Sequence, residues 1–245
     1  MTTAVVVGAS AGLGRALAAE LASRRRSLLL VASDARDLDA TAADLAVRFG
    51  VEATSLACDA ADPDALAASL RQACAGRSDL DALLLPLGAV DEGDEPLLDA
   101  GRAARLADVN WLAVCAAVRE VAPHLVARGA GSIVGFGSIA AVRGRTNNAV
   151  YAASKRALAS YFESLRHALE PSGVCVSFYV LGYMDTALAY GRPLLLPKAD
   201  PARVARQVCD HLGRAPGTHF LPWFWRPVTV ALRLLPWAVY RRLRF

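Results

Sequence analysis

Six short strand-like runs, most of them apolar, alternate with longer helical segments along most of the chain, and this alternation limits the possible folds most strongly. The runs, at residues 4–7, 27–32, 51–57, 80–85, 132–136 and 174–180, have the length of buried strands. Helices are predicted between them, at residues 15–23, 37–49, 63–74, 97–128 and 151–169. Parallel strands need a crossover, which is usually a helix, so this order indicates a parallel sheet covered by helices on both faces. The 245 residues predict a doubly wound α/β fold in a single domain.

A glycine-rich turn follows the first predicted strand, and a helix follows the turn. Gly8, Gly12 and Gly14 allow a tight bend and a close approach of the backbone to a pyrophosphate. The start of the helix supplies amide groups and a favourable dipole for the same anion. The G-x-x-x-G-x-G spacing differs from the general G-x-G-x-x-G pattern, and a glycine turn without a ligand is the alternative. We predict a dinucleotide site here, with Ser10 and Leu13 in the same loop.

Polar residues after the second and third strands would meet the adenosine part of a dinucleotide. Asp34 could bond ribose hydroxyls, as in NAD-binding folds, whereas Ser33 and Arg36 could hold a 2′-phosphate. Asp59 is placed to contact the adenine amino group, or else to cap a turn. The choice between NAD and NADP stays open at this point.

A tyrosine and a lysine four residues apart form the predicted reactive pair. Tyr151 and Lys155 share one face of a helix, and a nearby ammonium favours the phenolate that proton transfer uses. Ser138 ends the fifth strand, and Asn110 lies in an apolar helical stretch where a buried amide is usually a core hydrogen-bonding group. A parallel sheet with a glycine-rich turn after its first strand predicts a Rossmann-type fold, and the ligands of such sheets bind beyond the carboxyl ends of the strands. Residues at these ends include Gly8, Ser33, Arg36, Gly88, Ser138 and Gly182.

With these residues, the chain resembles the short-chain dehydrogenase/reductase family over about residues 4–190. The resemblance implies a nicotinamide-dependent oxidoreductase that uses NAD(H) or NADP(H) on a carbonyl or alcohol. It implies that Tyr151 gives a proton to the carbonyl oxygen while Lys155 holds the nicotinamide ribose. It also implies that Ser138 stabilises the oxyanion and that Asn110 holds a water joined to Lys155. The matching residues are Gly8, Gly12, Gly14, Asp59, Gly88, Asn110, Ser138, Tyr151 and Lys155.

Three departures from the family pattern surround the site. Val7 stands in place of a threonine, Leu-Pro-Leu-Gly at residues 85–88 replaces Asn-Asn-Ala-Gly, and Leu181 replaces a proline before Gly182. Thr186 is still expected to contact the nicotinamide carboxamide. No catalytic group is removed, so the resemblance implies activity, with a non-catalytic nucleotide-binding scaffold or sensor as the alternative. The apolar end of strand four with the acidic turn after it (LPLGAVDEGDE), the polar segment before Tyr151 and the C-terminal tail resemble a subgroup that reduces polyprenylphosphoryl 2-keto-pentoses, which implies a hydrophobic or lipid-linked carbonyl substrate.

Residues 220–245 are predicted to form an amphipathic extension of a domain that covers residues 1–219. The extension holds three of the four tryptophans and five arginines but no acidic residue. Val228, Ala231, Leu232 and Leu235 fall on one helical stripe that breaks at Pro236. It could pack on the domain, on a second subunit of a homodimer or homotetramer, on a membrane surface or on a lipid substrate, or remain disordered.

Charge and cysteine usage limit the remaining partners. The net charge of +4 is small, and the five cysteines have no spacing typical of a metal site, so neither nucleic acid nor metal is expected. Reduced cysteines and the absence of a leader or an 18-residue apolar run predict a cytoplasmic protein, peripheral at the inner membrane face if the extension binds lipid. Asn147 and Asn148, within residues 143–148, are candidates for binding substrate hydroxyls.

Overall fold

The computed structural model describes residues 1–185 and 198–242, and seven parallel strands in these ranges form one sheet. Their order across the sheet is β3-β2-β1-β4-β5-β6-β7, and each neighbouring pair is parallel. The predicted doubly wound α/β class is confirmed. The strands are β1 Thr3–Val7, β2 Ser27–Ala32, β3 Ala53–Ala57, β4 Leu80–Leu85, β5 Gly131–Ser138, β6 Val174–Leu181 and β7 Gly217–Leu221.

Helices cover both faces of the sheet because strand side chains alternate between two cores. Ala4 and Val6 of β1 pack into one core with α1, α2 and α7, whereas Val5 and Val7 pack into the other with α3, α5 and α6. The helices are α1 Gly12–Ser23, α2 Ala35–Phe49, α3 Pro63–Cys74, α4 Ala100–Ala107, α5 Ala113–Arg128, α6 Ala149–Leu169, α7 Pro201–His211, α8 Trp225–Leu234 and α9 Trp237–Tyr240.

The crevice of the fold opens where the chain changes direction across the sheet. β1 lies between β2 and β4, so the loops after β1 and β4 separate at their carboxyl ends. A Cβ added to Gly8 would lie 3.3 Å from Leu87 and 3.4 Å from the backbone of Pro86. The two loops are therefore in contact, and together they form the floor of the site.

Two stretches differ from the sequence prediction. The single helix predicted at residues 97–128 is instead α4, a π-helical turn at Asp108–Leu112, and α5. The sequence analysis did not predict helix α7 or the edge strand β7. The strand β7 is short and half-buried and has no continuous apolar run. The predicted start of the extension, residue 220, falls inside β7.

The buried face of the extension overlaps only in part with the apolar stripe recognised from the sequence. Trp225 and Thr229 of α8 are buried and Val228 and Leu232 are half-buried, whereas Ala231 of the predicted stripe is exposed. Large apolar residues cover the outer face: Trp223, Val230, Leu234, Trp237 and Val239. Within residues 1–185 and 198–242, no helix combines the length and the apolar character that crossing a membrane requires.

Candidate active site

A cleft of about 850 Å³ runs along the carboxyl ends of the strands. Most of the residues predicted from the sequence line it: Gly8, Ser10, Gly12, Leu13, Ser33, Asp59, Gly88, Ser138, Tyr151, Lys155 and Gly182. Gly14, Asp34, Arg36 and Asn110 do not line it, and Thr186 lies outside the described residues. The structure thus brings residues of six strand ends into one cavity.

The glycine turn has the geometry of an anion cradle. Gly8 has a φ of +97°, which favours glycine, and a Cβ added to Gly14 would lie 1.8 Å from the carbonyl oxygen of Gly8. The helix α1 therefore packs directly on the end of β1. Within the described residues no side chain caps α1 and no acidic residue lies in its first turn, and Gly12 and Leu13 at its start line the cleft. These features fit a dinucleotide pyrophosphate.

The residues expected at the adenosine end have local partners. The carboxylate of Asp34 accepts a hydrogen bond of 3.0 Å from the Asp37 amide and caps α2. Arg36 is exposed beside the cleft rather than in its lining. Asp59 accepts from the Ala61 amide at 2.9 Å and lies 3.6 Å from Arg105. Of the residues considered for the 2′ group, only Ser33 faces the cleft directly.

Asn110 fixes the loop after β4. It is fully buried in the π-helical turn, and its amide nitrogen donates to the carbonyl oxygens of Ala89, at 2.8 Å, and Leu106, at 2.9 Å. Its side-chain oxygen accepts from the Ala89 amide at 3.1 Å. Both N–H groups of the side chain are therefore occupied, so the predicted water-holding role would fall to the remaining acceptor capacity of Asn110 and stays a prediction. The side chain holds the backbone beside Gly88.

Lys155 is a buried amine in the lining of the cleft. The residue is 3% exposed, and Nζ donates to the carbonyl oxygens of Leu87, at 2.6 Å, and Phe136, at 3.2 Å. Burial lowers the pKa of Lys155 to about 8. An ammonium has three donors, so one remains for a ligand after these two bonds.

Tyr151 lies beside Ser138 and Arg145 at the same end of the cleft. Burial raises the pKa of Tyr151, and the hydrogen bond with Ser138 and the positive charge of Arg145 partly oppose that rise. Lys155 Nζ is 5.9 Å from the centre of the Tyr151 ring. The expected lowering of the tyrosine pKa by the lysine is thus not what the structure shows, because burial dominates. Arg145 was not singled out from the sequence.

A buried carboxylate that the sequence analysis missed holds the start of the tyrosine helix. Asp94 is 2% exposed, and its two oxygens accept from the amides of Val150, at 2.8 Å, and Tyr151, at 2.9 Å. Asn148, before these residues, has a left-handed φ of +57° and offers no side-chain cap. The acidic turn at residues 91–95 was the available signal, but nothing local links it to α6.

Two segments line the substrate end of the cleft. One is the end of β6 with the residues after it, Leu181, Tyr183 and Met184, and the other is the segment after β5, with Asn147 and Asn148. A Cβ added to Gly182 would lie 1.8 Å from the indole nitrogen of Trp225, so this glycine leaves room for α8 as well as lining the cleft.

A family model, related sequences and a solved structure all match this chain. A family model described as short chain dehydrogenase matches residues 2–192. An uncharacterized oxidoreductase of Myxococcus xanthus is 30% identical over 99% of this chain and 97% of its own length. A very-long-chain 3-oxoacyl-CoA reductase of Podospora anserina is 31% identical over 91% of this chain and 68% of its own. A short-chain dehydrogenase from Sphingobium yanoikuyae in complex with NADPH superposes with a TM-score of 0.84 at 26% identity, over 94% and 93% of the two chains.

Proposed function

The chain belongs to the short-chain dehydrogenase/reductase family of NAD(P)-dependent oxidoreductases, and we propose that it reduces the carbonyl group of a hydrophobic or lipid-linked substrate. The observation that supports this most is the meeting of Ser138, Tyr151 and Lys155 in the cleft that the glycine turn opens. Their arrangement suits proton transfer to a carbonyl oxygen rather than nucleotide binding alone.

Each residue of this group has a distinct task in the proposal. When bound, the nicotinamide supplies the hydride to the carbonyl carbon. The hydroxyls of Ser138 and Tyr151 donate hydrogen bonds to the carbonyl oxygen, and Tyr151 gives up its proton as negative charge develops there. The remaining donor of Lys155 holds a ribose hydroxyl, and its charge offsets the tyrosinate that is left. Asn110 keeps the backbone at Gly88 in place against the cofactor.

The raised pKa of Tyr151 keeps the phenol protonated at neutral pH, so the residue can act as the proton donor in a reduction. Arg145 and Ser138 favour the phenolate and so assist the loss of the proton once the oxygen takes up charge.

The substrate class rests on the wall of the cleft and on one relative. Leu181, Tyr183 and Met184 provide an apolar surface beside Tyr151. The Podospora relative is named for a very-long-chain 3-oxoacyl-CoA, which is a ketone on a lipid chain with a charged carrier. A polyprenylphosphoryl 2-keto-sugar has the same combination of a carbonyl, an anion and a long apolar chain.

We further propose that the outer face of the extension contacts an anionic membrane from the cytoplasmic side. Trp223 is 76% exposed, Leu234 77% and Trp237 66%. Arginines on the same segment, including Arg226 and Arg233, are exposed and would meet anionic headgroups. Such a location would bring the cleft to a substrate anchored in lipid.

Turnover with a tyrosine variant tests the catalytic proposal. Purified protein is assayed for oxidation of NADPH and NADH with medium-chain 3-oxoacyl thioesters and simple ketones, alongside Tyr151→Phe. We expect the variant to lose at least about 100-fold in kcat while the dissociation constant for the cofactor stays within about threefold. Equal rates for the two proteins contradict the proposal, and cofactor binding without any turnover supports the scaffold alternative.

Vesicle sedimentation tests the membrane proposal. Trp223→Ser/Trp237→Ser is compared with the intact chain on phosphatidylglycerol and phosphatidylcholine vesicles, with Trp111→Phe as a half-buried control. We expect binding to anionic vesicles that the double variant loses and the control retains. If the double variant instead changes the oligomeric state in light scattering, the face belongs to a subunit interface.

A further inference from the structure

A guanidinium lies at the reactive end of the cleft, and its effect on the Tyr151 proton does not account for its place in the lining. Arg145 lines the cavity together with Asn147, Asn148 and Tyr151, and its charge reaches the Tyr151 phenol. The glycine turn follows β1, whereas Arg145 follows β5, and β4 separates these two strands in the sheet. Arg145 therefore faces the space for the substrate rather than the space for the phosphates of the cofactor.

The segment that carries Arg145 is held at both of its ends. On one side, Arg143 donates to the carbonyl oxygens of Leu232, at 3.1 Å, and Leu235, at 2.5 Å, and stacks 3.9 Å from the ring centre of Tyr240. The Tyr240 hydroxyl donates to the Gly144 carbonyl at 2.8 Å.

On the other side of the segment, Asp94 fixes the start of α6 just after Asn148. A residue between two such anchors is ordered before a ligand arrives, so binding loses less conformational entropy.

The charged side chains that line the substrate end of the cleft are both cations, whereas the Asp94 carboxylate lies behind the lining, bonded to the amides of Val150 and Tyr151. The charged side chains that line the described part of the whole cleft are Asp59, Arg105, Arg145 and Lys155. Asp59 and Arg105 are 3.6 Å apart at the adenosine end, so their charges offset each other there. Lys155 and Arg145 lie at the other end, next to Tyr151. A substrate that carries negative charge close to its carbonyl is favoured at this end over a neutral analogue.

We propose that Arg145 binds an anionic group, a carboxylate or a phosphate, that the substrate carries near its reducible carbonyl. The planar guanidinium can form two parallel hydrogen bonds with either group, and the amides of Asn147 and Asn148 can donate to their outer oxygens. This inference rests on the proposed ketoreductase function and adds to it the charge of the substrate. Arg145 is then the residue that sets specificity, whereas Ser138, Tyr151 and Lys155 serve any ketone.

Matched pairs of ketones test the inference. The carboxylate arm compares 4-oxopentanoate with its methyl ester, and the phosphate arm compares dihydroxyacetone phosphate with dihydroxyacetone. For each pair, the ratio of kcat/KM for the anion to that for the neutral ketone is measured in the intact chain, Arg145→Gln and Arg145→Lys. Arg48→Gln is the control, because Arg48 is exposed on α2 in an ion pair with Asp44. Any effect of Arg145 on Tyr151 acts on both members of a pair and cancels in the ratio.

We expect the ratio to fall by about 10- to 100-fold in Arg145→Gln in at least one arm, to fall less in Arg145→Lys and to stay constant in Arg48→Gln. The arm with the larger fall identifies the anion. Unchanged ratios in both arms overturn the inference, even when every ketone is reduced.

A binding measurement separates this inference from the proposed reaction. Dissociation constants for the same four compounds are measured by calorimetry with the protein saturated with NADP⁺, where no turnover occurs. If no ketone is reduced but the anions bind and Arg145→Gln weakens that binding about 10-fold or more, the reaction is refuted and the anion site stands. If anion and neutral compound bind alike in both proteins, the anion site is refuted.

Discussion

The carboxylate of Asp94 should matter for catalysis although it lies outside the described cleft lining. Asp94→Ala removes the acceptor of two amides, at 2.8 and 2.9 Å, from the first turn of α6, where Tyr151 lies. Asp94→Asn keeps one carbonyl oxygen but turns an NH₂ group toward the second amide. We expect both changes to lower stability and to displace the tyrosine, with the alanine variant more severely affected.

The expected loss of stability follows from the burial of the Asp94 side chain. Asp94 is 2% exposed, so water has little access to the two amides, and each buried donor left without an acceptor costs about 1–3 kcal/mol. Loss of the negative charge at a helix start adds about 0.3–1 kcal/mol. Because water can enter the space that the shortened side chain leaves, we expect about 2–4 kcal/mol for Asp94→Ala and about 1–2 kcal/mol for Asp94→Asn. A displacement of the phenol by about 1 Å would lower kcat by about 100-fold.

A second aspartate provides the matched control. Asp99 also accepts from two amides, those of Gly101 at 3.0 Å and Arg102 at 3.2 Å, but it is exposed and caps α4, which carries no reacting group. Asp99→Ala should cost about 1 kcal/mol and leave kcat unchanged. Urea unfolding gives the free energies, and NADPH oxidation with a reducible ketone gives kcat. Equal losses of stability and of rate in the two alanine variants would refute the reasoning.

Three further predictions concern the cofactor site and its surroundings. Burial lowers the pKa of Lys155 to about 8, so affinity for NADPH should weaken as the pH rises through that value, when the amine loses its charge. Lys155→Met should bind NADPH more weakly at neutral pH and show no such step in a fluorescence titration. Asp34→Asn keeps the cap of α2 but removes a charge, so NADPH should bind about 3- to 10-fold more tightly. A fall in NADH affinity would show instead that the carboxylate bonds the ribose. Gly182→Ala places a Cβ 1.8 Å from the Trp225 indole and should cost about 1–3 kcal/mol in urea unfolding. Adding Trp225→Leu should cost less than the sum of the two changes, and strict additivity contradicts the contact.

The sequence predicts the features that depend on residues close together in the chain. Gly8 and Ser138 follow from strand ends and the Tyr151/Lys155 pair from helical spacing, so the fold class could be predicted from the order of the residues, and the roles of Ser138, Tyr151 and Lys155 from the family resemblance. In the part of the chain that the structure describes, five strands are mostly buried and were predicted, as was the half-buried edge strand β3, whereas the other edge strand, β7, was missed. Burial on both faces makes the central strands recognisable, and neither edge strand has that signal.

What the sequence does not predict depends on contacts between distant residues. Asp94 meets Val150 and Tyr151 across 56 and 57 residues, and no local pattern reveals that pairing. The pKa of Tyr151 was expected to fall beside Lys155, but burial by the whole fold sets its direction. Likewise, the helical stripe of the extension could be recognised, but the face that packs inward is decided by Trp225 against Gly182.

The long reach of the contacts to Arg143 and Gly144 has a consequence for synthesis. Their partners Leu232, Leu235 and Tyr240 follow them by 89 to 96 residues. On the ribosome, the glycine turn and the strands β1 to β6 emerge first, so the cofactor cradle can assemble while the substrate side still lacks its support. A chain terminated before α8 should therefore sequester NADPH without reducing a ketone, and would act as a sink for the cofactor rather than as a weakened enzyme.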